Sequence, residues 1–462
     1  MTFIIILLIL LSIFFAIKPQ RIMGFKLDMV RAPILAIILL MLLRHIDLQL
    51  LQEAIIGVGT LEPWKIIVIF FSMAYVSLSV DVTGLFDWLA YKLVHLAKGS
   101  GLKLFLIFYI FASVLTIFTS NDIVILTLTP IIYYVGKHAK INVIHLLFAE
   151  FFAANTWSMM LLVGNPTNII MASALQIDFL EYLRVMLIPT IVAGVTNFAL
   201  LYLLFKKAIH KNYSINIRGH AYVRGWADAL LSTAILLLCL ASLAVAPYIG
   251  LEIWQAAAIF AAVFVIEDLA FGYYYFTKAE PLAKMTRHKI ESLIELHELE
   301  IKSNEFYTAL HRMPWKLLPF IVSFFILIAA LNKAGVVDHF ATFISSLSTT
   351  LSSGIFANGI SSFILANVVN NQPMTIFMAN TVLSPNFAVT PNILEGSAYA
   401  TVIASNLGAN LTLLGALAGL MWHKLLKNKN IKITYWDFLK KGILITPIVF
   451  VITLITLYLT LS

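Results

Sequence analysis

The chain has 462 residues, 61% of them apolar and only 12% charged, with one cysteine and a formal net charge of +8. Soluble domains are nearer half apolar and a quarter charged, so this composition excludes an ordinary water-soluble enzyme, and one cysteine excludes a disulfide scaffold. The positive balance does not imply a nucleic-acid partner, because the Lys and Arg lie in short loops between apolar runs, as the positive-inside rule distributes them.

Repeated runs of about 18 or more apolar residues predict an all-α polytopic membrane protein with about ten spanning helices. The first span is expected at about Thr2 to Ile17. It lacks a basic leader and a small-residue cleavage site, so it reads as a retained span. A basic loop (Lys18, Arg21, Lys26, Arg31) precedes a shorter apolar segment, Pro33 to Leu43. The acidic loop Asp47, Glu53, Glu62 leads to a span beginning at Trp64. Leu85 to Leu96 is amphipathic and is expected to lie along the interface. The apolar run Leu104 to Val135 is cut at Thr119-Ser120-Asn121-Asp122.

Residues 141–175 carry the sharpest interruption, Gly164-Asn165-Pro166-Thr167-Asn168. Proline cannot donate the helical N–H, and Gly and Asn are the residues most tolerant of non-helical backbone. Irregular backbone at membrane depth persists only where protein or a water-lined cavity satisfies it, so a broken helix at a transport site is expected. A span from Leu180 to Phe205, a basic loop 206–224 and two spans near 226–247 and 253–276 follow. The polar stretch Thr277 to Met313 reads as a cytoplasmic linker.

The second half repeats the first. Pro314-Trp315-Lys316, Gly335 and Asp338 stand 251 residues after Pro63-Trp64-Lys65, Gly84 and Asp87. A second cut, Asn370-Asn371-Gln372-Pro373, and a second broken helix around Ser405 to Asn410 follow in the same order. Trp436-Asp437-Phe438-Leu439 then mirrors Asp178-Phe179-Leu180. The expected layout is N-terminal segments 1–62, repeat 1 at 63–206, two linking spans 207–276, a linker 277–313 and repeat 2 at 314–462. Placing 18–31, 92–103, 137–140, 206–224, 278–316 and 424–441 in the cytoplasm collects 27 of the 31 Lys and Arg there. That topology requires both cut segments to be re-entrant hairpins, which makes the repeats inverted.

The four polar breaks are expected to meet near the midplane. Their binding residues would be Ser120, Asn121, Asp122, Asn165, Thr167, Asn168, Asn370, Asn371, Ser405, Asn406 and Asn410. Hydroxyl and carbonyl oxygens suit Na⁺, while half-helix N-termini suit an anion or an oxygen-rich neutral solute. Asp122, a carboxylate at a hairpin tip, and Glu150, in the first third of the broken helix, are the candidates for proton coupling. Glu267 and Asp268, beside Tyr273 to Tyr275, read as interfacial, and His95, His138 and His145 as loop or interface residues. His297-Glu298-Leu299-Glu300-Ile301 lacks the second His of a zinc-protease motif, so neither a metal site nor an enzyme is predicted. Gly415 and Gly419 read as close-packing positions.

Several stretches resemble the arsenite/antimonite efflux permeases, within the superfamily that also holds Na⁺/H⁺ antiporters of the inverted-hairpin type and divalent-anion/Na⁺ symporters. They are Ser120-Asn121-Asp122 with Ile125 to Pro130, Arg312-Met313-Pro314-Trp315-Lys316, and Asn370-Asn371-Gln372-Pro373. The most specific runs from Asn406-Leu407-Gly408 through Leu411-Thr412 and Gly415 to Leu420-Met421-Trp422, then Ile433 to Trp436. The resemblance covers nearly the whole chain. It implies a multi-pass inner-membrane secondary transporter working by alternating access, with arsenite or antimonite moving outward. Those permeases carry an Asp before Leu-Gly and a Pro-Lys after it; here Asn406 and Ala409-Asn410 stand there. A Na⁺/H⁺ antiporter or a Na⁺-coupled carboxylate or anion transporter is the alternative, and an ion channel the alternative class. No cofactor is expected beyond a coupling H⁺ or Na⁺. The expected partners are the lipid bilayer and a small inorganic or anionic solute, with a second copy of the chain and a cytoplasmic ATPase subunit as further candidates.

Overall fold

A computed structural model describes residues 2–22, 24–57, 59–139, 141–211, 223–278 and 305–462. Lys140, the basic loop at 212–222 and the linker at 279–304 lie outside the described residues, as does the side chain of His138. Among the described residues there are twenty α-helices: α1 Thr2–Ile17, α2 Arg31–Leu42, α3 Leu48–Ile56, α4 Pro63–Val82, α5 Leu85–Leu96, α6 Gly101–Phe118 and α7 Asn121–Ala139. There follow α8 Ile144–Trp157, α9 Pro166–Ala174, α10 Phe179–Ile209, α11 Trp226–Val245, α12 Ile253–Lys278 and α13 Glu305–Arg312. The last seven are α14 Leu317–Lys333, α15 Val336–Leu347, α16 Leu351–Val369, α17 Asn371–Leu383, α18 Pro391–Leu407, α19 Leu417–Asn428 and α20 Tyr435–Leu461. The basic loop after α1 folds into a short antiparallel ribbon, β1 Gln20–Ile22 with β2 Phe25–Leu27, in which Arg21 faces Lys26.

Among the described residues, seven helices (α4, α6, α10, α11, α12, α16 and α20) are long and apolar enough to cross a membrane, while α1, α2 and α15 are apolar but shorter. Leucine and isoleucine side chains stand exposed along α1, α10, α11, α12, α16 and α20, a surface suited to acyl chains rather than water. Both cut segments are interrupted at the polar stretches, after Phe118 and after Val369, and both broken helices are interrupted as well. The first break opens at Ser158, ahead of Gly164, and the second opens after Leu407, so that Pro166–Asn168 and Ser405–Asn406 are helical.

The 251-residue offset is visible helix by helix. Helices α5 and α15 correspond at both ends, and each starts after a glycine in the left-handed region, Gly84 at φ 80° and Gly335 at φ 76°. A Cβ on Gly335 would meet only His339 atoms at 3.6 Å, so backbone conformation rather than space requires glycine there. Asp87 and Asp338 both fall in the first turn of their helices, where the helix dipole favours a carboxylate.

The chain packs as two units, each drawn from separate stretches: Met1–Ile67, Asn155–Leu200 and Pro314–Ser462 form the first, and Val68–Ala154 with Leu201–Met313 the second. The first unit is built around α18, which packs against α9, α16, α17 and α20. Small residues allow this close approach: a Cβ on Gly354 would press on Ile393, and one on Gly359 on Leu454. Polar rungs pin α16 to α18, with Asn358 donating to Ser397 at 3.0 Å and Ser362 meeting Thr401 at 3.1 Å. At the surface of the same unit Lys333 donates to Asp47 at 2.7 Å, and this contact, with the Leu50 N–H, holds the Asp47 carboxyl below the usual carboxylate range. Both side chains are about half exposed, so we expect Lys333→Met to leave the melting temperature unchanged at physiological salt.

In the second unit the structure corrects two expectations. His145 is no loop residue: it is buried on α8, with ring contacts to Phe105 and Phe205. Glu267 and Asp268 are not interfacial but only 7% and 2% exposed. Their turn of α12 faces Ser232 of α11 and Tyr75 and Ser79 of α4, whereas Tyr273 and Tyr274 further along face outward.

Candidate substrate and ion site

The first break is a tight reversal. Helix α8 ends at Trp157, one turn of 3₁₀ helix covers Leu162–Gly164, and α9 starts at Pro166. A Cβ on Gly164 would collide with the backbone carbonyl of Ser158, which explains why the position is glycine. We expect Gly164→Ala to cost about 2 kcal/mol or more, because backbone cannot swing aside as a side chain can; thermal unfolding in detergent checks this. Asn165 caps α9, its Oδ1 accepting the Thr167 N–H at 3.2 Å, and Pro166 occupies the first turn, where its missing N–H goes unneeded.

The second break meets the first through Asn406 in the last turn of α18. Its Oδ1 accepts from Ser158 Oγ at 2.7 Å and Asn165 Nδ2 at 2.9 Å. Its Nδ2 donates to Asn168 Oδ1 at 2.7 Å and to the Val402 carbonyl at 2.9 Å. Asn168 Nδ2 donates in turn to the backbone carbonyls of Ser158 and Leu161, at 2.8 and 3.0 Å. Ser405 Oγ donates to Thr167 Oγ1 at 2.9 Å. One turn on, Asn410 accepts from Asn155 at 3.1 Å and donates to Thr156 Oγ1 at 3.3 Å, which also receives Asn197 Nδ2 at 2.9 Å. These side chains are buried, and none of them carries a formal charge.

The second hairpin tip joins the same cluster. Asn370 sits at φ 77°, a conformation Asn tolerates better than most residues, and its Nδ2 donates to Leu414 O at 3.0 Å. Asn371 donates from Nδ2 to Ser405 O at 3.2 Å and from its backbone N–H to Gly415 O at 3.0 Å. Gly415 and Gly419 are close-approach positions, since a Cβ on either would press on backbone of the Gly408–Leu413 turn. Gln372, buried at the start of α17, keeps Oε1 without a hydrogen-bond partner among the described residues. Three of the four predicted breaks are therefore tied together in the first unit.

The fourth break belongs to the second unit. Ser120 Oγ accepts the Ile123 N–H at 3.4 Å and Asn121 Oδ1 the Asp122 N–H at 2.9 Å, so this tip caps α7. Asp122 lies buried in the first turn of α7. Glu150, fully buried on α8, accepts from Thr129 Oγ1 at 2.7 Å, beside the helix-interior Pro130.

Residues 7–404 match the family described as citrate transporter, CitMHS. The chain belongs to the citrate transporter family. It is 27% identical over 412 residues to an arsenical pump membrane protein of Escherichia coli, covering 86% of this chain and 87% of that one. It is 26% identical to a putative arsenical pump membrane protein of Bacillus subtilis (strain 168), covering 84% and 85%. The solved YdaH transporter of Alcanivorax borkumensis shares the fold, with a TM-score of 0.50 at 13% identity over 99% of this chain and 96% of that one. The resemblance drawn from the hairpin and break motifs is thus borne out, and this citrate-transporter-family chain is a multi-pass secondary transporter.

Sequence reasoning did not single out Asn155, Thr156 and Asn197, which sit inside helical runs with no Gly or Pro beside them, nor Ser158, the first residue past the end of α8. One signal could have found the first of them: Asn155 stands 251 residues before Asn406.

Proposed function

We propose that this member of the family exports arsenite or antimonite as the neutral hydroxide across the cell inner membrane, by ion-coupled alternating access between inverted repeats. The observation that carries this reading is the uncharged Asn/Ser/Thr cluster around Asn406. A neutral, oxygen-rich solute needs both donors and acceptors, which amides and hydroxyls supply, and Gln372 Oε1 offers one more acceptor. A multiply charged citrate would call for Lys or Arg, and among the described residues the cluster's hydrogen bonds given above run between amides, hydroxyls and backbone carbonyls. The arsenical pump relatives point the same way. The N-termini of α9 and α17 favour a second reading, an anionic solute moved with Na⁺. In either case H⁺ or Na⁺ supplies the driving gradient, with Asp122 and Glu150 as carriers of the coupling proton. A second copy of the chain and a cytoplasmic ATPase subunit are the partners to seek.

Proteoliposomes offered arsenite, citrate or Na⁺ under imposed proton and Na⁺ gradients decide among these. Gradient-driven arsenite flux is expected, falling at least tenfold in Asp122→Asn. Citrate or Na⁺ flux without arsenite flux would transfer the assignment to the second reading. Gradient-independent flux at channel rates would overturn the transporter mechanism.

A further inference from the structure

A cavity of about 470 Å³ lies between α3 and α14 in the first unit, apart from the Asn406 cluster. Pockets of this size hold small molecules or parts of larger ones. Two helix faces make its walls. Phe325, Ala329, Asn332 and Lys333 recur at helical spacing on α14, and Gln49, Leu50, Glu53 and Ala54 do so on α3. Leu50, Ala54 and Phe325 are buried, while Asp47, Gln49, Asn332 and Lys333 are exposed, so an apolar floor meets a polar rim.

The charges of the rim do not cancel. Lys333 Nζ donates to Asp47 Oδ2 at 2.7 Å, and Asp47 Oδ1 accepts the Leu50 N–H at 2.8 Å. Glu53, further along α3, accepts from the Gln49 amide at 2.8 Å and has no basic partner among the described residues. Two carboxylates and one ammonium therefore line the cavity, which leaves a cation wanting at Glu53. An ammonium has three N–H donors, and Lys333 directs one at Asp47, so it can also serve an anionic oxygen. A zwitterion with a primary ammonium a short distance from an anion matches this acid and base pattern. The surroundings say where such a ligand comes from. The far face of α3 is apolar and open, with Leu48 76% and Ile56 51% exposed, and Leu42 at the end of α2 continues it. Helices α2 and α3 both pack on α14. An amphipathic helix with such a face lies where acyl chains meet headgroups, which puts lipid beside the rim.

We propose that the cavity between α3 and α14 binds the headgroup of phosphatidylethanolamine, its ammonium donating to Glu53 and its phosphate accepting from Lys333. The chemistry discriminates among headgroups. Phosphatidylcholine carries the same two charges, but its trimethylammonium has no N–H to give Glu53. Phosphatidylglycerol has no cation and would set an unbalanced anion beside Asp47 and Glu53.

The test is native mass spectrometry of the full-length protein released from nanodiscs that hold the three lipids in equal amounts with identical acyl chains. Phosphatidylethanolamine should be retained over either competitor by about threefold, the scale of one exposed ion pair. Glu53→Gln keeps an oxygen for the Gln49 amide but removes the charge, and should erase the preference. Lys333→Met should lower retention of phosphatidylethanolamine and phosphatidylcholine alike, since both lose the donor to their phosphate. Neither side chain is buried, and an unchanged gel-filtration profile confirms the fold of both variants. Glycerophosphoethanolamine, the same headgroup without acyl chains, should fail to displace the lipid. Displacement by it at equal concentration would point to a soluble ligand and overturn the lipid assignment. Equal retention of the three lipids, or a preference that survives Glu53→Gln, overturns the site itself.

Discussion

Asn406→Ala is expected to abolish transport and to lower stability by on the order of 4 kcal/mol, given about 1–3 kcal/mol for each buried polar group left unsatisfied. The side chain is fully buried and makes four close contacts, two as acceptor and two as donor. Ser158 Oγ retains its bond to Asn155 O, so it loses least. Asn165 Nδ2 and Asn168 Oδ1 lose the contact that joins the two breaks. Asn406→Asp separates shape from chemistry. The introduced carboxylate still accepts from Ser158 and Asn165 but sets an oxygen against Asn168 Oδ1 and Val402 O, where a donor stood. Protonated, it donates to one of them; ionised, it repels both. The aspartate variant should therefore be more stable in acid than in alkali, with the wild type showing no such slope from this residue. Melting curves across pH read the difference, and a flat aspartate profile would contradict the assigned amide orientation.

Arg312→Ala is expected to be the most damaging change in the second unit, costing on the order of 3 kcal/mol, the range for removing one partner of a buried ion pair. Arg312 Nη1 lies 3.0 Å from Asp81 Oδ2, with side chains 24% and 3% exposed. Asp81 Oδ1 also accepts from Thr127 Oγ1 at 3.1 Å, a contact that holds the carboxyl in place when the guanidinium goes. The diagnostic is the double variant. Asp81→Asn with Arg312→Ala removes both members of the pair and should recover at least half of the lost stability, which melting temperatures measure. Equal damage in single and double variants would mean that Arg312 acts by packing alone. The contrast with Lys333 and Asp47, an ion pair in water with no expected effect, follows from burial and not from distance.

Arg312 also shows how a sequence motif and its physical cause can come apart. Arg312-Met313-Pro314-Trp315-Lys316 was readable as a family resemblance and as a repeat of Pro63-Trp64-Lys65. Its arginine has no counterpart in that repeat, and nothing local announces Asp81, 231 residues earlier. The interruptions were legible for the opposite reason. Gly164, Pro166 and Asn370 violate helix formation within their own few residues, so a linear reading finds them. Asn155, Ser158 and Asn197 violate nothing locally, and only the approach of α8, α10 and α18 gives them partners. Glu267 and Asp268 misled for a related reason: a nearby tyrosine cluster suggested an interface, but adjacent turns of one helix face different surroundings.

The amino-acid sequence alone determined that this chain is a helical membrane transporter, where its helices break and that its halves repeat, because apolar run length, Gly/Pro/Asn placement and offset identities are local properties. Tertiary structure decided which amides meet. Asn406 became the hinge of a charge-free cluster, and Glu267 the acceptor for Ser232 of α11, through helix crossings between residues far apart in the chain. A hydrogen bond a few ångströms long is set by the rotation and height of two packed helices, and no single stretch of sequence contains both.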